Sequence, residues 1–137
     1  MDRRLFIKGM VTAGIAAIAM DRRGAGLQAA TTVSFPPGIV YTKEQPGKWA
    51  KKVASHAPVV TVRGRRLTIE TRHPMTVKHY IVRHTLVTPQ GDVLGEKTFY
   101  PTDPRAMSEF EVPEGASLVY ATSFCNKHDL WVTTVSL

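Results

Sequence analysis

From position 57 to the C-terminus the chain reads as short β-rich runs cut by turn residues. Runs at 57–63 and 65–71 flank Gly64, and the run 78–88 stops at the Pro-Gln-Gly-Asp cluster of 89–92. The run 93–100 ends at Pro-Thr-Asp-Pro, 107–112 ends at Pro-Glu-Gly, and 117–124 and 130–137 complete the series. Gly, Pro, Asn and Asp punctuate strands because they supply the backbone angles of tight turns. Phe110 and Val112, then Leu118 and Tyr120, alternate with polar or small residues, the two-residue period of half-buried strands. No segment carries an apolar stripe at helical spacing. Seven strands joined this tightly predict an all-β fold, an immunoglobulin-like antiparallel β-sandwich of about seven strands spanning 51–137. Residues 31–50, with Pro36, Pro37, Gly38, Pro46 and Gly47, read as an extended, irregular lead-in.

The first 30 residues follow a different pattern. Arg3 and Arg4 precede Leu5, Phe6, Ile7 and Lys8, and an uncharged Gly/Ala-rich stretch runs from there to Met20. This resembles a twin-arginine export signal. The apolar stretch is shorter than the roughly 20 residues a membrane span needs, so contact with the membrane is expected only during export and the destination is the periplasm or another exported location. Cleavage could fall after Ala17-Ile18-Ala19 or near Ala29-Ala30.

The formal charge is +7. Residues 1–30 carry five of the 18 basic and two of the 11 acidic residues, a balance of +3 that leaves +4 on the remainder. A moderately basic domain of this kind attracts anions. No Lys/Arg run is interleaved with aromatics on one element, so nucleic acid is not an expected partner. Cys125 is the single cysteine, which excludes an internal disulfide and leaves a thiol whose role its neighbours must decide.

Those neighbours are histidines. His73 and His79 bracket the segment between the second and third predicted strands, Cys125 and His128 sit three apart between the last two, and His56 precedes the first strong strand. Loops of a sandwich gather at its two ends, so three of them can converge on one point. Four imidazoles and a thiolate suit a borderline-to-soft transition metal, whereas Mg and Ca prefer carboxylates. Taken singly, each residue has a plainer reading as a surface histidine or a small buried thiol. A Cys-x-x-His pair could also be half of a zinc site, although five candidates exceed the four ligands of a closed structural zinc. His84, five residues beyond His79 in mid-strand, reads as an ordinary strand side chain.

The segments His73-Pro74-Met75-x-x-x-His79-Tyr80-Ile81 and Cys125-Asn126-x-His128-x-Leu130-Trp131, with Phe110-x-Val112-Pro113-x-Gly115 between them, are similar to the iron-site motifs of the superoxide reductase family. Neelaredoxins and the iron-centre II domain of desulfoferrodoxins belong to it, and the resemblance covers about residues 45–137. It implies one mononuclear iron, Fe(II)/Fe(III), with His56, His73, His79 and His128 as equatorial nitrogens and Cys125 as axial sulfur. The sixth position is then open for one-electron reduction of superoxide to hydrogen peroxide. It also implies an external electron donor such as a small redox protein, because no four-cysteine iron domain accompanies the site. Self-association into a homo-oligomer is compatible with the sequence.

One departure from the family pattern matters. Where the family carries Glu-Lys immediately before the first histidine, this chain has Ala54 and Ser55. No carboxylate is available there to cap the oxidised iron. Lys127 and Lys78, inside the ligand motifs, or Lys51 and Lys52 upstream, are left to supply the missing positive charge beside Cys125. The departure keeps a second reading open, a non-catalytic iron-binding or redox-sensing domain on the same fold, and a zinc-stabilised binding sandwich is a third.

Overall fold

The computed structural model describes Pro36 and residues 38–137. The predicted export signal and residues 31–35 and 37 of the predicted lead-in lie outside these residues. Turn chemistry divides the rest as the sequence predicts. β1 (Val59–Arg63) turns through Gly64, at φ +60°, into β2 (Arg66–Thr71). That left-handed angle costs glycine little, because it has no Cβ to clash. β3 (Ile81–Val87), β4 (Val93–Thr98), β5 (Ala106–Glu111), β6 (Leu118–Cys125) and β7 (Asp129–Ser136) follow.

The strands form two antiparallel sheets, of order β1-β2-β5 and β4-β3-β6-β7. Leu67 and Ile69 of one sheet meet Leu86, Val119, Ala121 and Val135 of the other in a shared core, closed by Val112. In β6 the alternation runs Val119, Ala121, Ser123, Cys125 inward. Leu118 and Tyr120, the apolar positions of the sequence pattern, are therefore only half-buried, on the opposite face. Both faces of β6 carry apolar side chains, and a period of two without a clearly polar face leaves its phase open. In β3 a register shift between Ile81 and Arg83 breaks the alternation, so that Ile81 and His84 both turn inward although three residues apart.

The main difference from the sequence reading lies ahead of β1. Across the boundary between the predicted lead-in (31–50) and the predicted sandwich, Gly47–Lys52 forms a 3₁₀ segment, and it continues into a single helical turn, α1 (Val53–His56). Trp49, Val53 and Ala57 rest on Tyr41 and Trp131. Tyr41 in turn adds a parallel bridge to β7 through Tyr41 N–H to the Leu130 carbonyl and Val132 N–H to the Tyr41 carbonyl, both 2.9 Å. One docked turn is too short to show helical periodicity. Tertiary contact, not local propensity, holds it.

Candidate metal centre

Each candidate ligand is held by the geometry of an element end. His56 is the last residue of α1, where its Nδ1 lies 2.8 Å from Ser55 Oγ and 3.2 Å from the Lys52 carbonyl. The Ser55 hydroxyl also donates to that carbonyl, at 3.2 Å. A carbonyl can only accept, so Nδ1 carries the proton and Nε2 presents its lone pair. His73 follows β2 after a tight turn in which its N–H donates to the Thr71 carbonyl at 2.8 Å. His79 closes a loop with Thr76, whose hydroxyl donates to the His79 carbonyl at 2.9 Å while the two backbones pair.

Cys125 ends β6 on its inward face and pairs across the hairpin with Asp129. Asn126, Lys127 and His128 make the loop, and Asp129 takes φ +66°, a left-handed angle that Asp tolerates better than most residues. The tight return carries His128 back beside the sulfur, its Nδ1 3.7 Å from Cys125 Sγ. Around it, Trp131 Nε1–H donates to the His128 carbonyl at 2.9 Å, and Trp49 meets the His128 ring edge-on with centroids 4.6 Å apart. Trp49 Nε1–H is itself fixed on Asp129 Oδ2 at 2.9 Å.

The five donor atoms, one each from His56, His73, His79, Cys125 and His128, lie within 4.8 Å of one another. Successive nitrogens around the cluster are nearly equidistant: His56 Nε2 to His128 Nδ1 is 3.0 Å, His128 Nδ1 to His79 Nε2 is 2.9 Å, and His79 Nε2 to His73 Nε2 is 3.0 Å. The His56 and His73 rings complete the circuit with centroids 4.6 Å apart, whereas His56 and His79, across it, are 5.8 Å apart. Four nitrogens at the corners of such a square would each lie about 2.1 Å from its middle, which is a metal–imidazole bond length. In a tetrahedron with the same bonds every pair would be roughly 3.4 Å apart, so neighbours at 3.0 Å fit a square base better. His128 Nδ1 faces two imidazole nitrogens and the sulfur at once, more close approaches than one ring nitrogen can satisfy by hydrogen bonding. A cation at the middle answers the crowding, so the residues fit a mononuclear metal.

The electrostatics agree. Burial, followed by the nearby His73 and His128, pushes His56 down to about 4 against the raising effect of the Lys52 carbonyl. Burial and His79 push His73 to about 4 as well. Its Nδ1 is buried without a hydrogen-bond partner among the described residues, the Pro74 backbone lying close enough to raise its proton affinity but outside bonding geometry. Burial likewise lowers His79 and His128. The imidazoles are thereby held neutral at ordinary pH, the form that binds metal.

The family model described as desulfoferrodoxin matches residues 48–134, more than half of the chain and every one of these donors. The chain belongs to the desulfoferrodoxin family. Among solved structures, it is similar to a superoxide reductase (1Fe-SOR) from Giardia intestinalis, at 26% identity over 61% of this chain and 98% of that one, with a TM-score of 0.55. A superoxide reductase from Treponema pallidum matches at 28% identity over 61% of this chain and 69% of that one, with a TM-score of 0.54. A superoxide reductase (neelaredoxin) from Ignicoccus hospitalis, 23% identical over 72% of this chain and 93% of that one, shares the fold at a TM-score of 0.59. No curated protein sequence matches.

Within this desulfoferrodoxin-family domain the lysines divide. The positive charges that depress the imidazoles come from Lys52, acting on His73, His79 and His128, and from Lys127, acting on His79 and His128. Lys78 contributes its backbone instead, its carbonyl accepting from Asn126 Nδ2 at 3.1 Å. His84 stays out of the cluster, in the core, as its mid-strand position predicts. Two residues at the centre gain roles that the sequence pattern does not reveal. Ser55, at the family's lysine position, orients His56. Asn126 ties the two ligand loops together, its Oδ1 accepting from Tyr80 N–H at 3.0 Å and its own N–H donating to the Tyr80 carbonyl at 3.2 Å. Its place between Cys125 and Lys127 in the motif was the available signal.

Proposed function

We propose that this chain is a superoxide reductase, reducing superoxide by one electron and two protons to hydrogen peroxide. The convergence of four neutral imidazole nitrogens and one cysteine sulfur on a single point carries the reading. His56, His73, His79 and His128 would hold an iron ion in a square of nitrogens, with Cys125 as the sulfur ligand on the core side. Iron(II) so held would supply the electron, and the Cys125 thiolate would enrich it in electron density and so favour release of peroxide. The remaining work falls to the chain. Cys125 is 1% exposed and packs with Ile81, Phe99 and Ala106, so its sulfur is kept from solvent and from oxidation. His79 and His128 are only half-buried, which puts the approach for a small anion, and for the protons, on the side away from the sulfur. Lys52, three residues before Ser55, and Lys127, beside His128, carry charges that reach His79 and His128, and they draw superoxide in. We further propose that the electrons come from a separate donor such as a small redox protein, a reading supported by Cys125 being the single cysteine of this sequence.

Anaerobic purification, iron quantitation and rapid mixing with superoxide test this. Near-stoichiometric iron, a sulfur-to-iron charge-transfer band on oxidation, and bleaching of Fe(II) approaching the diffusional ceiling of ~10⁹ M⁻¹s⁻¹ are expected. Iron with a rate several orders lower favours the redox-sensing reading, and zinc in place of iron rejects both. We also propose export by the twin-arginine route, supported by Arg3 and Arg4 ahead of the short apolar stretch. Replacing both with Lys should strand the protein in the cytoplasm, and unchanged export would reject that route.

A further inference from the structure

His84 has no part in the cluster, yet it is the most elaborately held polar side chain of the core. It is fully buried, turned inward by the β3 register shift. Its Nε2 lies 2.8 Å from Thr71 Oγ1 on β2, and its Nδ1 lies 2.8 Å from Ser108 Oγ on β5. Thr71 Oγ1 continues to Ser123 Oγ on β6 at 2.7 Å. All four residues are at most 3% exposed. A neutral imidazole has one donor and one acceptor nitrogen, and three hydroxyls can orient to match, so the chain of bonds can be fully satisfied.

The network touches four strands and crosses from one sheet to the other. It also lies directly beneath the ligands. Thr71 is two residues before His73 and accepts that residue's N–H through its carbonyl at 2.8 Å. Ser123 is two residues before Cys125 on the same inward face of β6. An apolar core would hold the sheets together at least as well, because the net gain from a buried hydrogen bond is small beside the cost of burying its groups. What a satisfied polar network adds is a single spacing and register, since any slip leaves its groups unpaired.

We propose that the chain Ser108–His84–Thr71–Ser123 is a positioning device for the metal centre: it locks β2 to β6 across the sandwich and so sets His73 against Cys125. These are positioning residues, acting through the ligands without touching the metal. The proposal rests on reading the five donors as a metal centre, and cobalt(II) titration of the full-length protein tests the two separately. Ser123→Ala cuts the network at its β6 end and leaves His84, Thr71 and Ser108 paired. The quadruple change Thr71→Val, His84→Leu, Ser108→Ala and Ser123→Ala replaces the whole network with apolar side chains and leaves no group orphaned. Both should fold with wild-type circular dichroism, bind cobalt about ten-fold more weakly, and show a displaced sulfur-to-cobalt charge-transfer band. Thr71→Ser, which keeps the hydroxyl, should leave affinity and band at wild-type values. Unchanged affinity and band in either folded variant overturns the positioning role alone. A wild-type protein that binds no cobalt overturns the metal-centre reading and this proposal with it.

Discussion

With Ala54 and Ser55 where the family carries Glu-Lys, the proposed function needs its anion attraction from another residue. Ser55 cannot attract an anion, but its hydroxyl reaches His56 Nδ1 and helps fix the tautomer that presents Nε2. In the proposed mechanism the attraction falls to Lys52, one helical turn earlier, whose charge is felt by three of the four imidazoles. Lys52→Ala should therefore slow the bimolecular reaction with superoxide by about ten-fold and flatten its dependence on ionic strength, as loss of steering does. Lys78→Ala should change neither. Rapid-mixing rates across a salt series check both, and equal effects of the two substitutions would contradict the assignment. The sequence offers Lys52 as one of four candidates with Lys51, Lys78 and Lys127, and only the helical turn that follows it, Val53–His56, sets it beside the centre.

At the scale of elements, two loops built by different strand pairs must hold a common ion, and Asn126 joins them. Its side-chain amide accepts from Tyr80 N–H and donates to the Lys78 carbonyl, while its backbone N–H donates to the Tyr80 carbonyl. Asn126→Ala would break two of these three bonds. Because the site is exposed, water replaces them, and the expected loss of stability is about 1–2 kcal/mol. Metal affinity should fall further in proportion, by about ten-fold or more, because the loops can then move apart. Denaturant unfolding and competition with a chelator measure the two effects. Asn126→Asp, which keeps only the acceptor, should fall between. The Cys-x-x-His spacing is legible in the sequence because a tight hairpin needs it. The partner of the intervening Asn is not, because Tyr80 and Lys78 lie 46 and 48 residues away along the chain.

At the scale of the whole molecule, the buried His84 couples stability to pH. Burial, reinforced by the Lys97 charge, lowers it to about 3, whereas an unfolded histidine titrates near 6.5. Between those values the unfolded chain binds the extra proton and the folded chain does not. Stability is therefore full above about 6.5 and is lost as pH falls towards 3. The loss attributable to His84 should reach several kcal/mol at the low end. The quadruple apolar variant lacks this group, so its stability relative to wild type should rise as pH falls from 7 to 4.5. Urea unfolding at those two values checks the sign, and a constant difference would show that His84 does not titrate as its burial requires.

The sequence by itself determined the strand count, the all-β class and four of the five donors as members of two tight motifs, because turn residues and ligand spacing are local properties of the chain. His56 enters the ligand set through the family resemblance, and His84 reads as a strand side chain. Tertiary structure decided that a docked helical turn carries the first into the cluster and that a register shift buries the second beneath it. It likewise decided which face of β6 points inward, and which lysines act on the centre. Each of these depends on packing between segments far apart in sequence, where no periodicity or spacing can record the contact.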